Sequence, residues 1–154
     1  AARAGADGAL LTDLNVDEAG PYLEEMRRHE LDPIFLASQT TRDDRLKQLA
    51  QSSSGFVYLV SRAGVTGEQQ ALSNQAIPLI QRTRAVTSLP LAVGFGLSTK
   101  EHMLSLAPYV DGAVVGSAVV RLIAKHHDDP DLAARLAAYC AELKSGLMLG
   151  EAAD

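Results

Sequence analysis

The sequence has 154 residues and is 47% hydrophobic, enough for one compact domain that buries roughly two-thirds of its unfolded surface. Its net charge of -5, from 14 basic and 19 acidic side chains spread along the chain, gives no field that would gather a nucleic-acid backbone, and no run of aromatics is available to stack bases. The single cysteine, Cys140, excludes an intrachain disulfide and fits a reducing, cytoplasmic setting, and no apolar stretch approaches the roughly 20 residues that cross a bilayer.

The first residues, AARAGADG, lack the basic-then-apolar order of a signal peptide and read as the tail of a helix running into a turn. Short runs rich in Val, Leu and Ile follow at 9–14, 33–37, 56–60, 91–95 and 112–115. Each is succeeded by polar loop residues and a stretch of helical periodicity, the pattern of βα units around a parallel sheet. The runs are apolar at successive positions, which predicts strands buried on both faces.

The intervening helices carry start signals. Asn15 and Glu18 form a possible capping box, with Ala19, Tyr22, Leu23 and Met26 on one face and an end near His29. Thr41 with Asp44 opens a second helix that turns Leu46, Leu49 and Ala50 inward. A helix over 74–84 contains Pro78, which must sit in its first turn or kink it. Ser98 with Glu101 opens another, facing Met103, Leu104 and Ala107 inward. Asp129 and Pro130 cap a last helix bearing Leu132, Leu136, Cys140 and Leu143, with Cys140 read as a small buried residue. Five βα units close nothing alone: an eight-stranded barrel needs three more, and an open doubly wound sheet needs helices on both faces.

The chemistry points to the C-terminal ends of the last three strands. After 56–60 comes SRAGVTG, where Gly64 and Gly67 let backbone N–H groups approach an anion. After 91–95 the chain passes Gly96, in GFGLS, and after 112–115 Gly116 and Ser117 open a short helix. A helix N-terminus binds phosphate through unpaired N–H groups and a partial positive charge, without Lys or Arg. Each glycine alone is ordinary turn geometry; three such loops in order predict a phosphate site. Asp13 ends the first strand, where barrel enzymes carry functional side chains, but reads more simply as a loop cap or ion-pair partner. Arg62 reads equally as an anion contact or a salt-bridge partner. The histidines, including adjacent His126 and His127, read as surface residues, and RDDR at 42–45 as a solvated helix start.

The segments ADGALLTDL, PIFLASQTTRDDRL, FVYLVSRAGVTG, LPLAVGFGLST and DGAVVGSAVVRLI resemble the tryptophan synthase α-subunits, across essentially the whole chain. The resemblance implies a single-domain, α/β, partial TIM (β/α)8 barrel, in which residues 1–154 carry the fourth to eighth strands and the first three βα units are absent. It implies a carbon-carbon lyase of tryptophan biosynthesis that cleaves indole-3-glycerol phosphate to indole and glyceraldehyde 3-phosphate. It implies no cofactor, since pyridoxal phosphate belongs to the β-subunit partner of an α2β2 assembly. Backbone groups at Gly67, Gly96 and Gly116, with Ser117, would then hold the phosphate. Leu10, Thr12, Leu36, Tyr58 and Phe95 would line the substrate pocket, and Thr66 would help position the catalytic aspartate. Asn15 stands where proline is common in the family.

That aspartate and its glutamate partner lie upstream of residue 1 on this reading, so the chain holds no catalytic acid/base residue and is expected to be inactive alone. The alternative is a non-catalytic phosphate-binding half-barrel that pairs with itself; a chain opening mid-helix favours a piece of a lyase. A different phosphate-binding barrel, such as an indole-glycerol-phosphate synthase or a phosphoribosylanthranilate isomerase, shares the glycine strand ends but lacks SRAGVTG.

Overall fold

The structure, a computed structural model, describes residues 1–60, 69–94 and 96–150, with the side chains of 69–75 and 149–150 left aside. A 3-10 turn at Ala2–Ala4 ends on Gly5 in the left-handed conformation, as the helix-tail reading of AARAG expects. Then follow β1 (Gly8–Leu10), a 3-10 turn at Val16–Glu18, α1 (Gly20–Arg28), β2 (Asp32–Ile34), β3 (Leu36–Ser38), α2 (Asp43–Ser52) and β4 (Val57–Val60). The remaining elements are α3 (Gln69–Arg84), β5 (Leu91–Gly94), α4 (Lys100–Leu106), β6 (Gly112–Val114), α5 (Ser117–Lys125) and α6 (Leu132–Gly150).

Every described ladder is parallel. β1 pairs with β2, and β3-β4-β5-β6 form a second sheet in that order. The run read as one strand over 33–37 is two ladders: β2 faces back to β1, β3 faces forward to β4, and the two are separated only by Phe35. Phe35 and Ala37 are buried while Ile34, Leu36 and Ser38 are half-buried, so the alternation runs unbroken through the change of partner.

The same alternation corrects the expectation of strands buried on both faces. On the helix side, Ala37, Val57, Leu59, Leu91 and Val93 are at most 1% exposed. On the other side, Leu36, Tyr58, Val60 and Ala92 remain half-buried. The helices cover one face only, and no described element covers the other. The covered face forms the core with Leu46 and Leu49 of α2, Leu79 and Ile80 of α3, Met103 and Leu106 of α4 and Leu143 of α6. Each such side chain contributes about 1.5–3 kcal/mol by leaving water.

Local chemistry explains most helix boundaries. The Asn15 side chain accepts from Asp17 N at 3.3 Å and caps the turn before α1, where Pro21 occupies the first helical turn. Ala19, just before α1, and Met26 on it are buried, and Tyr22 packs edge-on to Phe35 at 6.3 Å while its hydroxyl donates to Ala9 O at 2.8 Å. This ties α1 to β1 and to the residue at which β2 passes into β3. α2 begins after Arg42 without a side-chain cap: Thr41, expected to open it, instead accepts from Ser38 N at 2.9 Å, and Asp43 and Asp44 face the positive helix end. Leu46, Leu49 and Ala50 point inward as expected.

Three expectations on later helices change. α3 already begins at Gln69, so Pro78 lies well inside it rather than in its first turn. A proline there costs about 3 kcal/mol; burial of Ala76, Leu79, Ile80 and Thr83 on the same helix offsets it. α4 is capped by Thr99, whose Oγ1 accepts from His102 N at 3.3 Å, rather than by Ser98. Its buried pair is Met103 and Leu106, one turn apart, and Leu104 is exposed. In α6, Leu143 is buried but Cys140 is exposed, because α6 meets the core on the Tyr139, Leu143 and Leu147 face. Asp129 does accept from Asp131 N at 2.8 Å ahead of α6.

Candidate functional site

The register brings the strand ends level. Ser38 pairs with Val60, Val60 with Gly94 and Gly94 with Val114, so β3, β4, β5 and β6 stop together at their C-terminal ends. Two residues past Gly94 comes Gly96, and two past Val114 comes Gly116. The two glycines therefore leave neighbouring parallel strands at one height, on the end where parallel sheets and barrels place their ligands.

Each glycine has a different physical status. Gly96 has φ 76°, a left-handed backbone that favours glycine. Gly116 has φ -105°, which any residue adopts, and a Cβ added there would meet nothing within 4 Å. Nothing in the described fold requires a glycine at 116; the space above it is open. Gly116 is the N-cap of α5, whose first turn has no side-chain cap and no acidic residue. α1, by contrast, has Pro21 in its first turn, α2 has Asp43 and Asp44, and α4 has the Thr99 cap. The first N–H groups of α5 are thus left for an external acceptor. Ser117, the first helical residue, is exposed beside them.

Next to this end lies an apolar layer. Leu36, Tyr58, Ala92 and Gly112 are successive register partners across β3 to β6 and share the half-buried face. Gly94 stands above them, and a Cβ there would overlap the Tyr58 hydroxyl and come within 2.5 Å of its Cζ. The Tyr58 ring therefore leans across β5 into room that only a glycine leaves. Burial pushes the Tyr58 phenol up from its ordinary value, so it stays a neutral hydrogen-bond donor near pH 7. Beside it, Ser38, Gln39, Thr40 and Val60 line a cavity of 340 Å³. A second cavity of 570 Å³ shares Thr40, has Leu36, Leu14 and Val16 as its apolar lining, and is closed on its rim by Arg45, which pairs with Asp17 at 2.5 Å and also donates to Asn15.

Among the expected site residues, Leu36, Tyr58, Gly96, Gly116 and Ser117 gather on this end. Leu10 ends β1 opposite Ile34, whose half-buried face continues to Leu36. Thr12 lies two residues past β1 and is exposed. Thr66, Gly67 and Phe95, with Arg62 and Gly64, lie outside the described residues. Asp13 is exposed and makes no hydrogen bond or ion pair among the described residues, so neither of the simpler roles read for it is seen. Sequence reasoning missed Gly94 as a packing partner of Tyr58 and missed the hydroxyls of Ser38 and Thr40. The strand alternation from Leu36 to Ser38 was the available signal for Ser38.

The histidines are not clustered: His126 faces Asp129 at 4.0 Å, His127 faces Asp128 at 2.9 Å and His29 faces Glu25 at 3.5 Å. No group of three or more His, Cys, Asp or Glu among the described residues could hold a metal ion.

The family model described as tryptophan synthase alpha chain matches residues 1–148. The chain belongs to the tryptophan synthase alpha chain family. The tryptophan synthase alpha chain of Solibacter usitatus is 51% identical over 146 residues, covering 95% of this chain and 55% of that protein. The Arabidopsis thaliana one is 34% identical over 94% of this chain and 53% of its own length. Among solved structures, the tryptophan synthase complex of Pyrococcus furiosus matches with a TM-score of 0.79 at 33% identity, over 93% of this chain and 56% of that one. A tryptophan synthase of Mycobacterium tuberculosis matches with a TM-score of 0.78 at 35% identity, over 95% and 52%. The chain spans about half the length of the curated relatives it matches. The fold is thus a partial (β/α)8 barrel, in which β2 and β3 together take one barrel position and the six strands correspond to the fourth to eighth barrel strands. In a (β/α)8 barrel the helices form the outer ring, so the half-buried sheet face is the one turned to the barrel interior.

Proposed function

We propose that this chain is the phosphate-holding and indole-holding part of a tryptophan synthase α-subunit, a carbon-carbon lyase that cleaves indole-3-glycerol phosphate to indole and glyceraldehyde 3-phosphate. The observation that carries this reading is the level pair Gly96 and Gly116, the latter heading an uncapped α5, directly beside the apolar layer of Leu36 and Tyr58. On this reading the phosphate rests on backbone N–H groups at Gly96, Gly116 and Gly67 and on the Ser117 hydroxyl. The indole ring lies against Leu10, Leu36 and Tyr58, with Thr12 and Phe95 at its edges.

The cleavage needs a proton on the indole ring carbon and the removal of one from the glycerol hydroxyl, so that the carbon-carbon bond breaks, a carbonyl forms and the electron pair returns to the ring. This requires an acid and a base on opposite sides of the substrate. In this reading a glutamate and an aspartate of three βα units upstream of residue 1 supply them, with Thr66 orienting the aspartate, and no cofactor takes part. The indole passes to a β-subunit; the P. furiosus relative, described as a tryptophan synthase complex, supports an assembly of this kind. A cytoplasmic setting belongs to the same reading, alongside the finding that no described helix is long and apolar enough to cross a membrane.

The test is indole release from indole-3-glycerol phosphate by the 154-residue chain and by a form extended at its N-terminus. The extended form is expected to release indole and the shorter one to release none. Comparable release by both would overturn the upstream acid/base pair, and release by neither, with the β-subunit added, would overturn the lyase.

A further inference from the structure

The loop that follows Gly96 is held by side chains that touch no part of the candidate pocket. Leu97 is plugged into the core at 3% exposure. At Ser98, both backbone polar groups are taken by side chains: Ser98 N donates to His102 Nδ1 at 3.2 Å, and Ser98 O accepts from the Tyr139 hydroxyl at 2.7 Å. Thr99 then caps α4. The two anchors come from different helices, α4 and α6, and those helices are locked together. A Cβ added at Gly146 of α6 would lie 2.7 Å from Lys100 O and 2.8 Å from Met103 Cβ, so the helices touch backbone to backbone at this point.

We infer that His102 and Tyr139 are positioning residues for the phosphate-binding backbone, fixing the peptide planes on either side of Ser98 so that the left-handed turn at Gly96 is held from its C-terminal side and faces the anion ready-made. The inference rests on the phosphate reading above and extends it outward to a layer of residues behind the loop. Gly96 gains its conformation from glycine's permissiveness, which also makes it free to leave that conformation. Two hydrogen bonds on the next-but-one residue remove that freedom before the ligand arrives, and a preorganised site loses less ordering entropy on binding. Chemistry keeps the Tyr139 bond in place near neutral pH. Burial pushes the Tyr139 phenol up from its ordinary value, with Arg121 opposing, so the hydroxyl remains a donor. His102 accepts through Nδ1, which places its ring proton on Nε2.

The test uses the protein expressed at its full natural length, with inorganic phosphate as the calorimetric probe and steady-state cleavage as a second readout. Tyr139→Phe and His102→Leu are each expected to weaken phosphate binding about fivefold, the size of one lost hydrogen bond. They should raise KM by a similar factor with kcat within about twofold, since a ground-state contact is being loosened. His102→Asn sets an amide oxygen where Nδ1 stood and is expected to restore affinity to within about twofold of the parent. Melting temperatures taken alongside separate loosened binding from unfolding. Unchanged phosphate affinity in both Tyr139→Phe and His102→Leu, with the parent binding normally, overturns the positioning role alone. Equal loss in His102→Asn and His102→Leu overturns the His102 half of it. A parent protein that binds no phosphate overturns the functional reading and this inference with it.

Discussion

The two ends of the strands use polar groups in opposite ways. At the N-terminal end they are spent on one another. Asp111, just before β6, accepts from Arg84 at 2.6 Å and from Leu91 N at 2.8 Å, joining α3, β5 and β6. Asp32 accepts from Ser54 Oγ at 2.6 Å and lies against Gly55, where a Cβ would come within 2.9 Å of its carboxylate. At the C-terminal end, the first N–H groups of α5 and the Tyr58 hydroxyl have no side-chain partner among the described residues. The difference teaches which end is built for the chain and which for something else. A folded protein satisfies its own buried polar groups, and the groups left unspent at this end are those to which the proposed phosphate and substrate would bind.

Substitutions can break this comparison, beginning with the largest expected effect. Gly94→Ala forces the Tyr58 ring out of its place and is expected to cost about 1–3 kcal/mol of stability through overpacking. It should also spoil the pocket, which cleavage assays would detect. Adding Tyr58→Leu to Gly94→Ala should recover part of the stability, a coupling that a double-mutant cycle in urea measures. Strictly additive losses would mean that Gly94 and Tyr58 do not share the space.

At the other end, Asp111→Asn should leave cleavage untouched and cost at most about 1 kcal/mol, the ordinary worth of an exposed ion pair. Burial works to raise the Asp111 carboxyl, but the Arg84 guanidinium and the Leu91 N–H together outweigh it and hold the group below the usual carboxylate range. A folded-state pKa below the unfolded one gives stability that is complete above about pH 4 and is lost as pH falls through the folded value. Urea midpoints across the acid range should therefore fall less steeply for Asp111→Asn than for the parent. A fall of equal slope would remove Asp111 from the account. The smallest effect is expected from Cys140→Ser, whose exposed side chain on α6 should change stability by no more than about 0.5 kcal/mol in the same assay.

Much of the fold was legible because βα units announce themselves twice, by apolar runs and by helix starts with capping chemistry. Leu46, Leu49 and Gly116 stand where the sequence reading put them, whereas Asn15 caps a 3-10 turn ahead of α1 rather than α1 itself. What was not legible depended on neighbours. The pairing of 32–38 changes partner at Phe35 without any change in residue pattern, because both ladders ask for the same alternation. An apolar run tells that a face avoids water in the finished barrel, but the cover of that face is a property of the whole fold; hence Leu36 and Tyr58 were read as fully buried. Leu104 and Cys140 fit an apolar helix face as well as Leu106 and Leu143 do, and only the contact between α4 and α6 chooses between them. On the site, glycines signalled the strand ends, whereas the Tyr58 ring over Gly94 and the Tyr139 hydroxyl on Ser98 join residues far apart in sequence and left no local trace.

The central claim is that the unspent end holds a phosphate through backbone. Gly116→Asp tests it cleanly, because the backbone there suits any residue, the added side chain meets open space, and an acid at a helix N-terminus does not destabilise the helix. Titration of the full-length protein with inorganic phosphate is predicted to show binding weakened by about 100-fold or more through charge repulsion and lost close approach. The melting temperature should stay within about 2 °C of the parent's. Equal phosphate affinity in the parent and in Gly116→Asp would contradict the account.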